Sequence, residues 1–371
     1  MQLETLILTN FRNLIEQEIV FEKDLNIIYG DNAQGKTSIL EAVHFLSIPR
    51  SFRTNSDKIA LQHTKEHFEI KGNYKNSENQ KTTIRLYYSI KDGKNIFVNN
   101  NKIEKFSELI GIIPVILLSL EDLELTYGYP GNRRKFADIL LSQVSPLYLS
   151  ALQNYKQTLL QRNKLLNLIS EKKETKASIF PWDKQLVKYG TEITKYREEF
   201  VQFIDERLAH HYHLISESKD IINAIYKSGI STQIEKFESN SIKSEFETNL
   251  ERNYNTDLIK QGTTIGPHRD DIEFLINGQL LKAFGSQGEN KTFLIALKFI
   301  EGEYLKNKLK NDPIFLMDDI FGELDKKRIE HLTEQILKIG QTFITTTLKD
   351  KFSNLKRNEI NYLNVSHGKV L

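Results

Sequence analysis

One stretch constrains this chain more than any other: Gly30-Asp31-Asn32-Ala33-Gln34-Gly35-Lys36-Thr37. Two glycines five apart, followed by Lys-Thr, have the spacing of a phosphate-binding loop. Leu25-Asn26-Ile27-Ile28-Tyr29 before it is apolar and β-prone. After it, from Ser38, the residues Ile39, Leu40, Val43 and Leu46 recur at helical spacing. Such a loop needs backbone N–H groups turned inward, which glycine dihedrals permit, and a helix behind it supplies unpaired donors and a positive dipole end. The stretch predicts a bound nucleoside triphosphate cradled by Gly30 through Ser38. Lys36 reaches the β- and γ-phosphates and the Thr37 hydroxyl sits on Mg²⁺. An ordinary glycine-rich strand-to-helix turn is the bland alternative.

Far downstream, 277 residues past Thr37, lies a candidate for the other half of such a site. Ile314-Phe315-Leu316-Met317-Asp318-Asp319 reads as a buried strand ending in two carboxylates. A phosphoryl site needs an acid at a strand tip to hold Mg²⁺, which assigns Asp318, and Asp319 stands where an attacking water is oriented. An amphipathic stretch and the strand Thr342 to Thr346 continue the sheet as a parallel βαβ unit. Upstream, Phe284-Gly285-Ser286-Gln287-Gly288-Glu289 opens a helix running to about Lys308. That turn is either a second anion contact, through Ser286 and Gly288, or a plain N-cap by Ser286.

The rest of the chain frames these pieces. Leu3 to Leu8, Ile19 to Phe21, Phe68 to Tyr74, Thr83 to Ile90 and Asn95 to Val98 alternate like strands, with Asp92-Gly93 as a hairpin turn. Ile112 to Leu118 is an apolar run suited to a buried strand. From Gly131 to about Ser216 the pattern turns helical, and no heptads are sustained over lengths that would make a coiled-coil rod. The expected fold is α/β, a mixed sheet with an antiparallel insert plus a compact helical lobe. Residues 1–124 and 220–371 would form the ATPase lobe, and 125–219 the helical lobe.

Bulk composition narrows the setting. The chain has 371 residues, no cysteine and a net charge of +2. Disulfides and cysteine-ligated metals are excluded, which fits a cytoplasmic protein. No apolar run is long enough to span a bilayer, since Ile112 to Leu120 is interrupted by Pro114 and Ser119. Near-neutral charge means that nucleic-acid binding must come from a local patch. Candidate phosphate contacts are Arg12, Arg53, Arg133, Arg134 and Lys135, each of which could equally belong to a solvated face. His210, His211 and His213 invite a metal reading but lack acid-rich spacing.

Taken together, these motifs resemble the RecF family of bacterial recombination mediators, whose ATPase head is related to the SMC and ABC classes. Asn10-Phe11-Arg12-Asn13 resembles the family's opening motif. Gly128, Pro130, Arg133, Arg134, Phe136 and Asp138 match its Gly-x-Pro-x-x-Arg-Arg-x-Phe-x-Asp pattern. Gln161-Arg162-Asn163, Trp182-Asp183, Gly266-Pro267-His268-Arg269-Asp270-Asp271, Asp318-Asp319 and Gly322-Glu323-Leu324-Asp325 follow in order. Two departures stand out. The family usually shows Ser-x-Gly-Gln followed by basic residues in the dimer-contact turn, part of which Glu289-Asn290-Lys291 replaces here, and Leu120 stands where the family's Ser-Pro-Glu-Asp-Leu has proline.

The resemblance implies an ATP- and Mg²⁺-dependent homodimer, the turn at Ser286 and Gly288 of one subunit touching the γ-phosphate held by the other. It also implies slow, DNA-stimulated ATP hydrolysis and binding to single-stranded, duplex or gapped DNA. With RecR, such a protein helps load RecA in replication, gap repair and SOS induction. An ABC-type transporter subunit is the competing reading. Against it stand the antiparallel insert and Phe343-Ile344-Thr345-Thr346-Thr347, which lacks the histidine that transporter ATPases use as a switch.

Overall fold

The helix Lys36–Phe45 buries almost every residue, including Ile39, Leu40, Ala42, Val43 and Phe45. A helix buried on all sides must be enclosed rather than laid on a surface, and this one contacts strands of both sheets. The computed structural model describes residues 1–216, 218–230, 237–320, 326–353 and 360–371.

One sheet is antiparallel. Its strands lie in the order Leu14–Val20, Gln2–Phe11, His67–Lys75, Lys81–Ser89, Gly93–Val98 and Asn101–Lys102. Strict alternation along His67–Lys75 turns Phe68, Ile70 and Tyr74 inward and leaves the other face half-exposed. The second sheet is parallel across its five main strands, ordered Ile360–Ser366, Leu25–Tyr29, Thr342–Thr346, Ile314–Asp318 and Val115–Leu118, with Lys369–Val370 antiparallel at the edge. Ile314–Asp318 and Thr342–Thr346 are buried along almost their whole length, as central strands covered on both faces must be, whereas Ile360–Ser366 nearer the edge is only partly buried. Leu8, Ile28, Leu40, Phe45, Phe68, Leu86, Leu316 and Phe343 belong to one core. Sheet order sets Thr342–Thr346 between the strand that feeds the phosphate loop and the strand that ends in Asp318.

These elements form a unit of Met1–Asp122 and Lys298–Leu371; Leu123–Leu297 forms the other. The second unit holds the helices Pro130–Val144, Pro146–Ser170 and Phe180–Ile215, each with proline in its first two positions, where a missing N–H costs nothing. It also holds a small antiparallel sheet of Ile222–Lys227, Asp271–Ile276 and Gln279–Leu280. This differs from the expected division at 125–219. The strand Ile222–Lys227 packs on the helix Phe180–Ile215 and pairs with Asp271–Ile276, so it joins the helices rather than the ATPase sheets. The chain leaves the first unit at Asp122 and re-enters at Lys298. The buried Lys298 ammonium holds both Asp122, at 3.6 Å, and Glu301, at 3.0 Å.

Candidate nucleotide site

The phosphate loop follows the strand Leu25–Tyr29 at the carboxyl end of the parallel sheet, where ligands bind in open α/β folds. Gly35 caps the helix Lys36–Phe45 with φ 115°, a backbone region closed to most side chains, and a Cβ there would lie 2.9 Å from the Asn13 side chain. Glycine is therefore required twice over. No side chain caps the helix and no acidic residue occupies its first turn, so its N–H groups and positive dipole end are left for an anion.

The Asn10-Phe11-Arg12-Asn13 segment props the loop from beneath. The Asn13 amide donates to the Gln34 carbonyl at 2.9 Å and accepts from the Ser38 hydroxyl at 3.3 Å. Gln34 is held from the other side by the N–H groups of His367 and Gly368. Arg12 forms a two-toothed pair with Glu41, at 2.9 and 2.6 Å, and Glu41 is fully buried. Arg53 approaches the same carboxylate at 3.5 Å and is otherwise partly exposed.

Lys36 is 7 % exposed, and its ammonium donates to the loop's own Gly30 and Asp31 carbonyls at 2.8 and 2.6 Å. Burial lowers its pKa, while Asp319, Asp318 and Asp31 oppose that shift. The Thr37 hydroxyl donates to Asp318 Oδ1 at 2.9 Å, joining the loop to the strand tip. A hydroxyl beside a carboxylate is a hard-oxygen set that suits Mg²⁺. Partial burial and the neighbouring Asp318 raise the Asp319 carboxyl above its ordinary range, with Lys36 opposing. Asp319 also holds φ 52°, a left-handed conformation that few residues other than glycine, asparagine and aspartate adopt readily.

Thr345 joins the two acids, and nothing in the sequence singled it out. It sits in register with Asp318 on one side and Ile28 on the other. Its hydroxyl donates to Asp318 Oδ1 at 2.6 Å and accepts from the Asp319 N–H at 3.0 Å. One carboxylate oxygen thus receives two hydroxyls, which fixes how the acid is presented.

The turn before the helix Gln287–Leu309 belongs to the second unit. Ser286, Gln287 and Gly288 are exposed. The Ser286 N–H donates to Glu289 Oε2 at 2.7 Å, and the Glu289 N–H donates to Ser286 Oγ at 3.3 Å. This is a reciprocal capping box. The acid that departs from the family pattern is the N3 partner of that box, and Asn290 ties the same turn to the Gly285 and Ser286 carbonyls. The loop Gly322-Glu323-Leu324-Asp325 lies outside the described residues.

Like Arg12, two more of the arginines offered to DNA have internal partners instead. Arg133 is 3 % exposed and pairs with Asp271 through Nε and Nη2, at 2.7 and 3.0 Å. Arg134 is half-buried and donates to the Asp270 carbonyl at 2.6 Å, whereas Lys135 is exposed. The Gly266–Asp271 segment is where buried polar groups of this unit converge. Arg197 donates to Asp270, the Pro267 carbonyl and Asp138 at 2.6, 2.6 and 2.7 Å. Tyr226 also donates to Asp270, and Tyr148 to Asp138. His268 Nε2 donates to the Thr263 carbonyl, which leaves Nδ1 to accept from the Tyr155 hydroxyl. Burial pushes its pKa down to about 4, so the ring is neutral at physiological pH. Arg162, fully buried, reaches Asp183, Asp257 and Thr263. Of these three histidines, His211 is buried and His210 and His213 are exposed, and among the described residues no group of three or more His, Cys, Asp or Glu is placed to hold a metal ion.

Comparison with known proteins places this architecture. The sequence matches the family described as the RecF/RecN/SMC N terminal domain over residues 2–369. It is 39 % identical to the DNA replication and repair protein RecF of Streptococcus gordonii, over the full length of both chains. It is 36 % identical to the RecF of Lachnoclostridium phytofermentans, over 95 % of each. A solved structure of the recombination mediator protein RecF with ATP superposes with a TM-score of 0.89 at 30 % identity, covering all of this chain and 96 % of the other. An Smc head bound to the C-winged helix domain of ScpA shares the fold alone, at TM-score 0.58 and 15 % identity. No helix among the described residues is long and apolar enough to cross a membrane. With an ATPase head of the SMC type and full-length similarity to these relatives, the chain belongs to the RecF family.

Proposed function

We propose that this protein is a DNA-binding ATPase of replication and repair, whose two copies close over ATP and open when it is hydrolysed. The Thr37–Asp318 hydrogen bond of 2.9 Å carries the reading, because it brings the phosphate loop and the strand-tip acid into one site from 281 residues apart. Thr37 and Asp318 would hold Mg²⁺, which would supply positive charge to the phosphoryl group being transferred.

The chain's own groups do the rest. The Gly30–Ser38 backbone cradles the phosphates. Lys36 exchanges its two carbonyl partners for the β- and γ-phosphates. Asp319, with its raised pKa, orients and deprotonates the attacking water. The exposed Ser286–Gly288 turn of a second molecule completes the γ-phosphate shell, which makes nucleotide binding and pairing linked events. DNA is single-stranded, duplex or gapped, Arg53 and Lys135 remain candidate contacts, and RecR is the protein partner in RecA loading. Measuring ATP hydrolysis with each DNA form tests this. DNA should raise the rate; a rate indifferent to all three forms would contradict it.

The capping box adds a prediction. Glutamine at the N3 position keeps the reciprocal hydrogen bonds but removes a negative charge beside a γ-phosphate. Glu289→Gln should therefore strengthen ATP-driven pairing by about threefold to tenfold in a sedimentation titration, with the monomer's melting temperature unchanged. Weaker pairing would show that the acid does not face phosphate.

A further inference from the structure

With Arg12, Arg133 and Arg134 engaged internally, unpaired positive charge gathers on a different surface: the outer face of the antiparallel sheet in the first unit. Alternation along His67–Lys75 and Lys81–Ser89 turns Lys71, Asn73 and Lys75, and Lys81, Thr83 and Arg85, away from the core. The register then sets Lys71 opposite Arg85, Asn73 opposite Thr83, and Lys75 opposite Lys81. Like charges directly opposite each other weaken an antiparallel pair. Here two such rungs flank one neutral rung, closed by a 3.0 Å bond from Thr83 Oγ1 to Asn73 Oδ1. Lys102, opposite Phe97, is a fifth cation.

Three carboxylates share this face: Glu69, 3.6 Å from Arg85, and Glu16 and Glu18 on the strand Leu14–Val20, two strands away from the Glu69 and Lys71 positions. Among the described residues, no side-chain hydrogen bond or ion pair engages the Lys71, Lys75, Lys81 or Lys102 ammonium. Lys75 and Lys81 form the rung away from those acids, so the local excess of positive charge is concentrated at that end of the face. Successive cations on one strand lie four residues apart, about 13 Å, with a directly opposed row beside them. Aromatic faces adjoin the rows: Phe97 lies 4.2 Å beneath the Arg85 guanidinium, and Tyr87 stacks on His67 at 5.5 Å. Basic rows beside aromatic rings are what tracks a nucleic-acid backbone without reading sequence.

We propose that this ladder of self-repelling cations is a binding site for the phosphodiester backbone of DNA, an inference that rests on the DNA-binding reading above. Phosphates seated between the rows relieve the repulsion that the free protein carries. The site therefore trades stability of the unbound sheet for affinity.

The test is the full chain carrying Lys71→Gln, Lys75→Gln and Lys81→Gln together, titrated with single-stranded and with duplex DNA at several salt concentrations. Each lost phosphate contact should make the slope of log affinity against log salt less negative by about 1. At 0.1 M salt, affinity should fall by about tenfold per contact. A Lys→Arg triple variant should retain the wild-type slope. The melting temperature of the free glutamine variant at low salt should equal or exceed that of wild type, which separates lost contacts from lost folding. Loss on one DNA form alone supports the site and identifies the form it holds. If wild type binds DNA and the glutamine variant matches its affinity and slope, this site is wrong while the DNA-binding reading stands. If wild type binds neither form, both fall.

Discussion

Asp319→Asn should lower ATP hydrolysis by about 10²- to 10⁴-fold, the contribution of a positioned general base, while ATP-driven pairing persists. Asparagine suits this position for a structural reason. Asp319 holds φ 52°, and asparagine tolerates the left-handed region better than most side chains. The Asp319 N–H also keeps its bond to Thr345 Oγ1, since only the side chain changes. The variant thus removes the proton acceptor without disturbing the strand tip that presents Asp318. Phosphate release and sedimentation in ATP read the two effects separately. Hydrolysis within threefold of wild type would remove Asp319 from the role of base. Normal hydrolysis with lost pairing would assign it to the interface instead.

Arg197→Met should destabilise the second unit by about 3–5 kcal/mol, the usual cost of stripping one partner from a buried ion pair. For a unit of this size, that is a fall of about 10 °C in melting temperature. The guanidinium is almost wholly buried, at 3 % exposure, and serves Asp270, Asp138 and the Pro267 carbonyl at once. Burial disfavours its charge, but Tyr148, Asp138 and Asp270 together outweigh that. Removing it strands two carboxylates. Asp270 retains Tyr226 and the Gly229 N–H, at 2.8 Å for the latter, but loses its countercharge. Pairing Arg197→Met with Asp270→Asn should cost clearly less than the sum of the single changes, because the second removes the charge that the first leaves unmatched. Differential scanning calorimetry of the four proteins measures this. Additive losses would mean that the pair is not coupled.

The phosphate loop and the strand-tip acids were legible in the sequence because each is a local pattern. Gly30 and Gly35 mark backbone that other residues cannot adopt, and the apolar run before Asp318 marks a buried strand end. Thr345 was not legible. A threonine in a β-prone run reads as propensity alone, and its contact with Asp318 follows from which strand lies beside which. Arg133 and Arg134 look like a surface charge pair until Asp270 and Asp271, more than 130 residues away, are folded against them. The boundary expected at 219 failed for a similar reason. The hairpin strands after it carry no mark of which layer they join, and packing on the helix Phe180–Ile215 decides it. Glu289 is the opposite case. Serine followed three residues later by glutamate is itself the capping-box pattern, so the role of that acid could have been read without the structure.

The account's central claim is that one molecule grips the triphosphate while the Ser286 turn of another seals it. Sedimentation velocity on wild type and Lys36→Ala, each with and without ATP, tests it most directly. Wild type should shift from monomer to dimer on adding ATP, and Lys36→Ala should remain a monomer in both conditions. ATP-bound wild type that stays single, or a Lys36→Ala protein that pairs as wild type does, would contradict the claim.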